Sequence, residues 1–240
     1  MSNQKKAIVV GASSGIGFEL AKILATKGYQ VGITGRREQK LKKLKEFNTK
    51  NFLIQSFDST KSDNSQELGE LVAKLGGLDL IVISSGTGDL NPELAYQITS
   101  KTNCLNVMAF SEIASWAFNF FQKQGRGHIV GISSVAGIRG GGVAPSYNAS
   151  KAYQINYLEG LRQKSKQLKK PIFVTDIRPG FVDTAMAKGE GQFWVATKEE
   201  AGKQIYDLIK KKKSVGYVTK RWVLIALLLK ILPRWIYERM

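Results

Sequence analysis

The chain has 240 residues, of which 43% are hydrophobic and 23% charged, a make-up that fits one globular domain and excludes disorder over most of its length. A single cysteine, Cys104, and a single histidine, His128, exclude an intramolecular disulfide and a zinc site built on such ligands, so no metal is expected. Lys and Arg number 36 against 19 Asp and Glu, a net charge of +17 that favours anionic partners.

Met1 to Lys6 lead straight into an apolar run without the features of a secretory leader, so a reducing, cytoplasmic setting is expected. Val- and Ile-rich runs at 7–10, 31–34, 52–57, 78–83, 128–132 and 172–177 predict buried parallel strands. Between them, residues 16–27, 37–47, 65–75, 92–122 and 147–168 carry apolar positions at three- and four-residue spacing and predict helices. Strands alternating with helices predict an α/β fold with a doubly wound parallel sheet. No linker or repeat divides residues 1–219, which read as one domain, and 220–240 read as its C-terminal extension.

The first strand runs into Gly11-Ala12-Ser13-Ser14-Gly15-Ile16-Gly17. A glycine-rich turn that opens a helix can offer backbone N–H groups and a positive helix end to a pyrophosphate, because a Cβ there would block the phosphate oxygens. Such turns also serve packing alone. After the second strand stands Thr34-Gly35-Arg36-Arg37. The acid that would hold ribose hydroxyls is missing, and Arg36 can fork onto a 2′-phosphate with Arg37 as a further cofactor contact, so NADP(H) is the expected cofactor of a Rossmann fold. The alternative is that both arginines only start a solvated helix.

Tyr147 and Lys151 lie four apart on one predicted helix face, where the ammonium can stabilise a phenolate. That spacing alone is often accidental. Thirteen residues earlier, Ser134 ends a predicted strand, the edge where ligands of open parallel sheets bind.

In combination these motifs resemble the short-chain dehydrogenase/reductase family over about residues 5–219. The resemblance implies a catalytic tetrad of Ser134, Tyr147, Lys151 and Asn103, the asparagine holding a water that replenishes the proton through the lysine. It implies cofactor contacts at Gly11, Ser13, Ser14, Gly15, Ile16 and Gly17, at Asp58 and Ser59 near adenine, at Gly86, and at Pro179, Gly180, Val182 and Thr184 near nicotinamide and phosphate. Tyr147 and Lys151 would also touch the cofactor. It further implies a small carbonyl or alcohol substrate and a homo-oligomer, dimer or tetramer. One departure is Ile83-Ser84-Ser85-Gly86, where the family has Asn-Asn-Ala-Gly. It leaves open a cofactor-binding regulator or scaffold with little catalysis.

The remaining features are weaker. His128, at a strand start, reads as a structural residue, and Cys104 reads as a buried helix residue. Residues 181–195, with Met186, Phe193 and Trp194, suit a lid over an apolar substrate or plain packing. From Lys210 to Met240 nine basic residues stand against Glu238. Within that stretch Trp222 to Leu229 are apolar on every helix face but too few to cross a bilayer, so 220–240 can meet a membrane surface or dock on the body or a partner subunit. Nucleic-acid binding is not expected, since the basic excess forms no aromatic and basic recognition surface.

Overall fold

β-branched and leucine-rich runs form seven parallel strands among the described residues, which are 4–186 and 193–239 of a computed structural model. They are β1 (Lys6–Val10), β2 (Gln30–Thr34), β3 (Phe52–Gln55), β4 (Leu80–Ile83), β5 (Gly127–Ile132), β6 (Ile172–Pro179) and β7 (Val215–Val218). The sheet order is β3-β2-β1-β4-β5-β6-β7. The order reverses between β1 and β4, and Val10 lies level with Thr34 on one side and Ile83 on the other. All seven carboxyl ends therefore share one edge of the sheet, and the cleft of such a sheet opens there.

The helices are α1 (Gly15–Thr26), α2 (Glu38–Phe47), α3 (Asn64–Leu75), α4 (Tyr96–Asn103), α5 (Phe110–Gln124), α6 (Pro145–Leu168), α7 (Lys198–Lys210), α8 (Trp222–Ile231) and α9 (Arg234–Tyr237). One apolar layer packs α1, α2 and α7 on the sheet through residues such as Leu20, Leu24, Leu41 and Ile205. The opposite layer packs α3, α5 and α6 through Leu71, Phe110, Phe118 and Leu158. Asp63 caps α3 by accepting from the Gln66 amide, Pro145 opens α6, and Gly76 and Gly125 end α3 and α5 in left-handed conformations.

The doubly wound sheet and its six expected strands are present. β3 stops at Gln55 rather than 57, and the helix expected from 92 starts at Tyr96. That helix is not continuous: a π-helical turn, Cys104–Ala109, joins α4 to α5. Sequence reading missed α7 and β7. Thr197 and Glu200 form a reciprocal capping box that was legible before α7, whereas β7 is four residues long and interrupted by Gly216. The C-terminal basic stretch also divides. Lys210 to Lys213 precede β7, with Lys212 over the Phe173 ring at the start of β6, while α8 follows β7 at the cleft edge.

His128 has the structural role expected of it. It is buried, its Nε2 lies 2.8 Å from Thr175 Oγ1, and burial, with Lys212 nearby, lowers its pKa to about 4. The unfolded chain takes up this proton near pH 6.5 and the folded chain only near 4, so stability is lost as pH falls through that interval, by at most roughly 1.4 kcal/mol per pH unit. His128→Asn is expected to flatten this part of the profile in thermal melts recorded across that range.

Candidate active site

At the sheet's carboxyl edge the β1–α1 turn approaches β4 so closely that only glycine fits. A Cβ on Gly11 would lie 2.5 Å from the Ser85 amide nitrogen, and one on Gly17 would lie 2.4 Å from the Gly11 carbonyl oxygen. Ser14 caps α1 with extended backbone but its side chain accepts no capping bond, and the first turn holds no acid. A helix N-terminus opened by glycines, with no acid in its first turn, suits an anionic diphosphate.

Arg37 docks on this turn. Its Nη2 donates to Ser13 Oγ at 2.8 Å and to Ser14 Oγ at 2.7 Å, and its Nε reaches Ser13 Oγ at 3.2 Å. Arg36, the residue expected to lead, points elsewhere: it is largely exposed, with Nη1 4.0 Å from Asp58 Oδ2. Burial would raise the Asp58 carboxyl, but the Thr60 amide and hydroxyl together with Arg36 and Lys61 hold it below the usual range. Neighbouring Ser59 uses its carbonyl to accept from Asn64 Nδ2 at 3.0 Å. The basic mouth beside Gly35 thus has two arms, one on the serines and one on the acid.

The second half of the site is built by β5, α6 and β6. Ser134 caps a short 3-10 turn, Val135–Ile138, by accepting from the Ala136 amide at 3.1 Å, and its hydroxyl donates to the Pro179 carbonyl at a long 3.4 Å. The Tyr147 phenol lies near enough to this hydroxyl for Ser134 to favour its ionised form. Burial raises the pKa of that phenol against the opposing effect of Ser134. The Tyr147 ring lies against Gly88, and Lys151 Nζ is 5.8 Å from its centroid. Lys151 is buried and donates to the Ile132 carbonyl and to Gln154 Oε1, both at 2.9 Å. Burial lowers its pKa to about 8, with Asp176 pulling the other way.

Asn103 does not join this cluster. It ends α4 on an exposed face, and the π turn that follows carries Asn106 inward instead. Fully buried Asn106 accepts from the Thr87 amide at 2.9 Å and donates to the Thr87 carbonyl at 2.8 Å and to Ser150 Oγ at 2.9 Å. Its own carbonyl accepts from Gln154 Nε2 at 2.9 Å, which links it through one amide to Lys151. The inserted residue of the π turn shifts helix phase, so Asn103, which the family resemblance implied, stays on the outer face while Asn106 turns inward. Cys104, expected to be buried in this helix, is exposed. Gly86, which follows the unusual serine pair, lies beside Asn106 and Lys151. Ser85 Oγ is buried there with no partner.

Between the two halves runs the segment after β6. The Pro179 carbonyl faces Ser134, and the Gly180 amide donates to the Val218 carbonyl at 2.6 Å. Thr184 reaches the glycine turn, its methyl 3.3 Å from where a Cβ on Gly15 would lie. Val182 and Ile16 differ from the expectation in direction, since both side chains pack on the sheet core and leave only backbone for a ligand. Of the expected lid, residues 187–192 lie outside the described residues. Phe193 stacks on Trp222 at 5.0 Å, and Phe181 meets both edge-on.

A family model described as short chain dehydrogenase matches residues 5–193. The chain belongs to the short-chain dehydrogenase/reductase family. This short-chain dehydrogenase is 35% identical over 188 residues to an uncharacterized oxidoreductase of Myxococcus xanthus, covering 76% of this chain and 74% of that one. It is 30% identical over 195 residues to an uncharacterized oxidoreductase of Mycobacterium tuberculosis, covering 76% and 75%. The same fold is seen in a short-chain dehydrogenase/reductase from Burkholderia phymatum in complex with NAD, with a TM-score of 0.85, 18% identity and coverage of 94% and 92%. A variant of actinorhodin polyketide ketoreductase with NADPH superposes with a TM-score of 0.78 at 22% identity, covering 90% and 96%. The chain is thus an oxidoreductase with the nucleotide-binding fold of that family.

The two asparagines can be told apart in solution. Asn106→Ala removes both bonds to the part-buried Thr87 backbone and is expected to cost about 1–3 kcal/mol in urea unfolding. Asn103→Ala is expected to change stability by less than about 0.5 kcal/mol.

Proposed function

We propose that this chain uses NADPH to reduce the carbonyl group of a small molecule with an apolar portion, the reverse alcohol oxidation using the same groups. The observation that carries the reading is the convergence of the Ser134 hydroxyl, the Tyr147 phenol and the Lys151 ammonium at the sheet edge, beside a glycine turn shaped for a diphosphate. When bound, NADPH supplies the hydride. Ser13, Ser14, Gly15 and Gly17 of the turn, with Arg37 and Arg36, would hold its phosphates. Asp58 and Ser59 would lie toward its adenine, and Gly86, Pro179, Gly180 and Thr184 would hold its nicotinamide side.

Tyr147 holds the proton that goes to the substrate oxygen, because burial keeps the phenol protonated at neutral pH. Ser134 donates a hydrogen bond to that oxygen, and its 3.4 Å bond to Pro179 is long enough to exchange. Lys151, charged below about pH 8, favours the phenolate left after transfer. Asn106 takes the place that Asn103 was expected to fill. It acts on Lys151 through Gln154, and a buried amide stands where the family resemblance implied a water. The serine pair after β4 had allowed a non-catalytic cofactor binder. The Asn106 clamp on Thr87 supports the catalytic reading, since it holds that turn without the missing amides.

Arg37 supports NADPH over NADH, as its fork already sits on two serines of the turn and no acid occupies the Gly35 position. An aromatic outer face on α5 and α6, with Trp116 stacked on Phe120 and Tyr153 on Tyr157, supports self-association into a dimer or tetramer.

Tyr147→Phe is expected to lower kcat for ketone reduction by about 10²–10⁴ while leaving NADPH binding, read by fluorescence, intact. Arg37→Met should raise KM for NADPH by about tenfold or more and leave KM for NADH unchanged. Since the ammonium is lost as pH rises, kcat/KM for reduction is expected to fall above about pH 8. A flat profile to pH 10 in a spectrophotometric assay would remove the role given to Lys151.

A further inference from the structure

We propose that α8 and α9 seat the protein on an anionic lipid bilayer, with α8 lying in the plane of the interface at the mouth of the active site. The helix is apolar all round, yet only one side of it is covered. Trp222 and Ala226 are buried against the body, while Val223, Leu224, Leu227, Leu228 and Ile231 stand outward on the opposite face. Leu224 is 64% exposed, Ile231 76% and, on α9, Trp235 64%. A soluble surface rarely leaves so many large apolar side chains together without a partner.

The helix is fixed, so this apolar face is preformed. Arg139 Nη1 donates to the Leu229 and Leu232 carbonyls at 3.4 and 3.3 Å, its guanidinium lies 4.5 Å from the Tyr237 ring, and the Tyr237 hydroxyl donates to the Gly140 carbonyl. The Trp222 ring fills the space a Cβ on Gly180 would need, only 1.9 Å from it. Gly180 follows Pro179, the acceptor of the Ser134 hydroxyl, so the buried side of α8 packs next to the cleft while the stripe lies on its outer side. Phe193, Trp194 and Val195 are exposed beside Trp222 and extend the same surface.

Charge selects the occupant. Lys220, Arg221, Lys230, Arg234 and Arg239 rim the stripe and are exposed, and the acid among them, Glu238, is held by Arg234 at 2.5 Å. A second copy meeting this face about a two-fold axis would bring the same cations against themselves. An anionic membrane complements them and accepts the leucines, and Trp235 suits the headgroup level. Spanning is excluded for the described residues, since no helix among them is long and apolar enough to cross a membrane. If the carbonyl reduction proposed above holds, the substrate is drawn from the lipid phase. The docking itself does not depend on that reading.

The test is co-sedimentation of the full chain, without cofactor, with phosphatidylcholine vesicles that contain or lack phosphatidylglycerol. Binding is expected to the anionic vesicles, to weaken with added salt, and to drop by about tenfold or more in the double variant Leu224→Asp, Leu228→Asp. Lys220→Glu with Lys230→Glu should give a similar loss and guards against a fold defect in the first variant, which circular dichroism would reveal. Tyr147→Phe should bind vesicles like the native chain, so loss of catalysis and loss of docking are separable. The proposal is overturned if anionic vesicles fail to sediment the protein, if both double variants bind undiminished, or if light scattering shows the leucine variant splitting a dimer instead.

Discussion

A buried ammonium is the constraint from which the rest of the site follows. Lys151 sits away from water, where a cation is tolerated only if its donors are engaged. The Ile132 carbonyl at the end of β5 and the Gln154 amide one turn along α6 engage two of them. Gln154 in turn holds the Asn106 carbonyl of the π turn, so one charge ties β5, α6 and the α4–α5 junction together. Behind it lies buried Asp176, which Ser133 and Arg178 both contact and whose field partly restores the lysine's basicity.

The parallel sheet supplies the geometry this charge needs. Since all strands end at one edge, the glycine turn after β1, the serine after β5 and the Pro179–Thr184 segment after β6 open onto a common cleft. The two halves have different physics. At the turn, close packing of backbone on backbone requires glycine at 11 and 17, and the helix end behind it suits an anion. At the Ser134–Tyr147–Lys151 side, desolvation pushes a phenol and an ammonium away from their ordinary pKa values in opposite directions. That keeps the phenol protonated and the ammonium only moderately acidic, the states that a proton donor and its stabiliser require.

The C-terminal helices complete the same edge rather than trailing from it. Trp222 reaches the backbone next to the Pro179 carbonyl that accepts from Ser134, and Arg139, just beyond the 3-10 turn, holds the far end of α8. Any ligand that loads the outer face of α8 therefore presses on elements that line the cleft.

Patterns carried by neighbouring residues were readable from the chain itself. The glycine spacing, the strand and helix alternation, and the Tyr147–Lys151 pair four residues apart are local patterns, so sequence alone determined the fold class and pointed to the residues that gather at the sheet's carboxyl edge. Three features depended on contacts between distant segments. Asn106 rather than Asn103 turns inward because a π turn, stabilised by packing on α6, shifts the helix phase. Arg37 rather than Arg36 meets the serines because β2 and the β1–α1 turn end side by side. The sidedness of α8 came last, since a helix apolar all round has no preferred face until a body covers one of them.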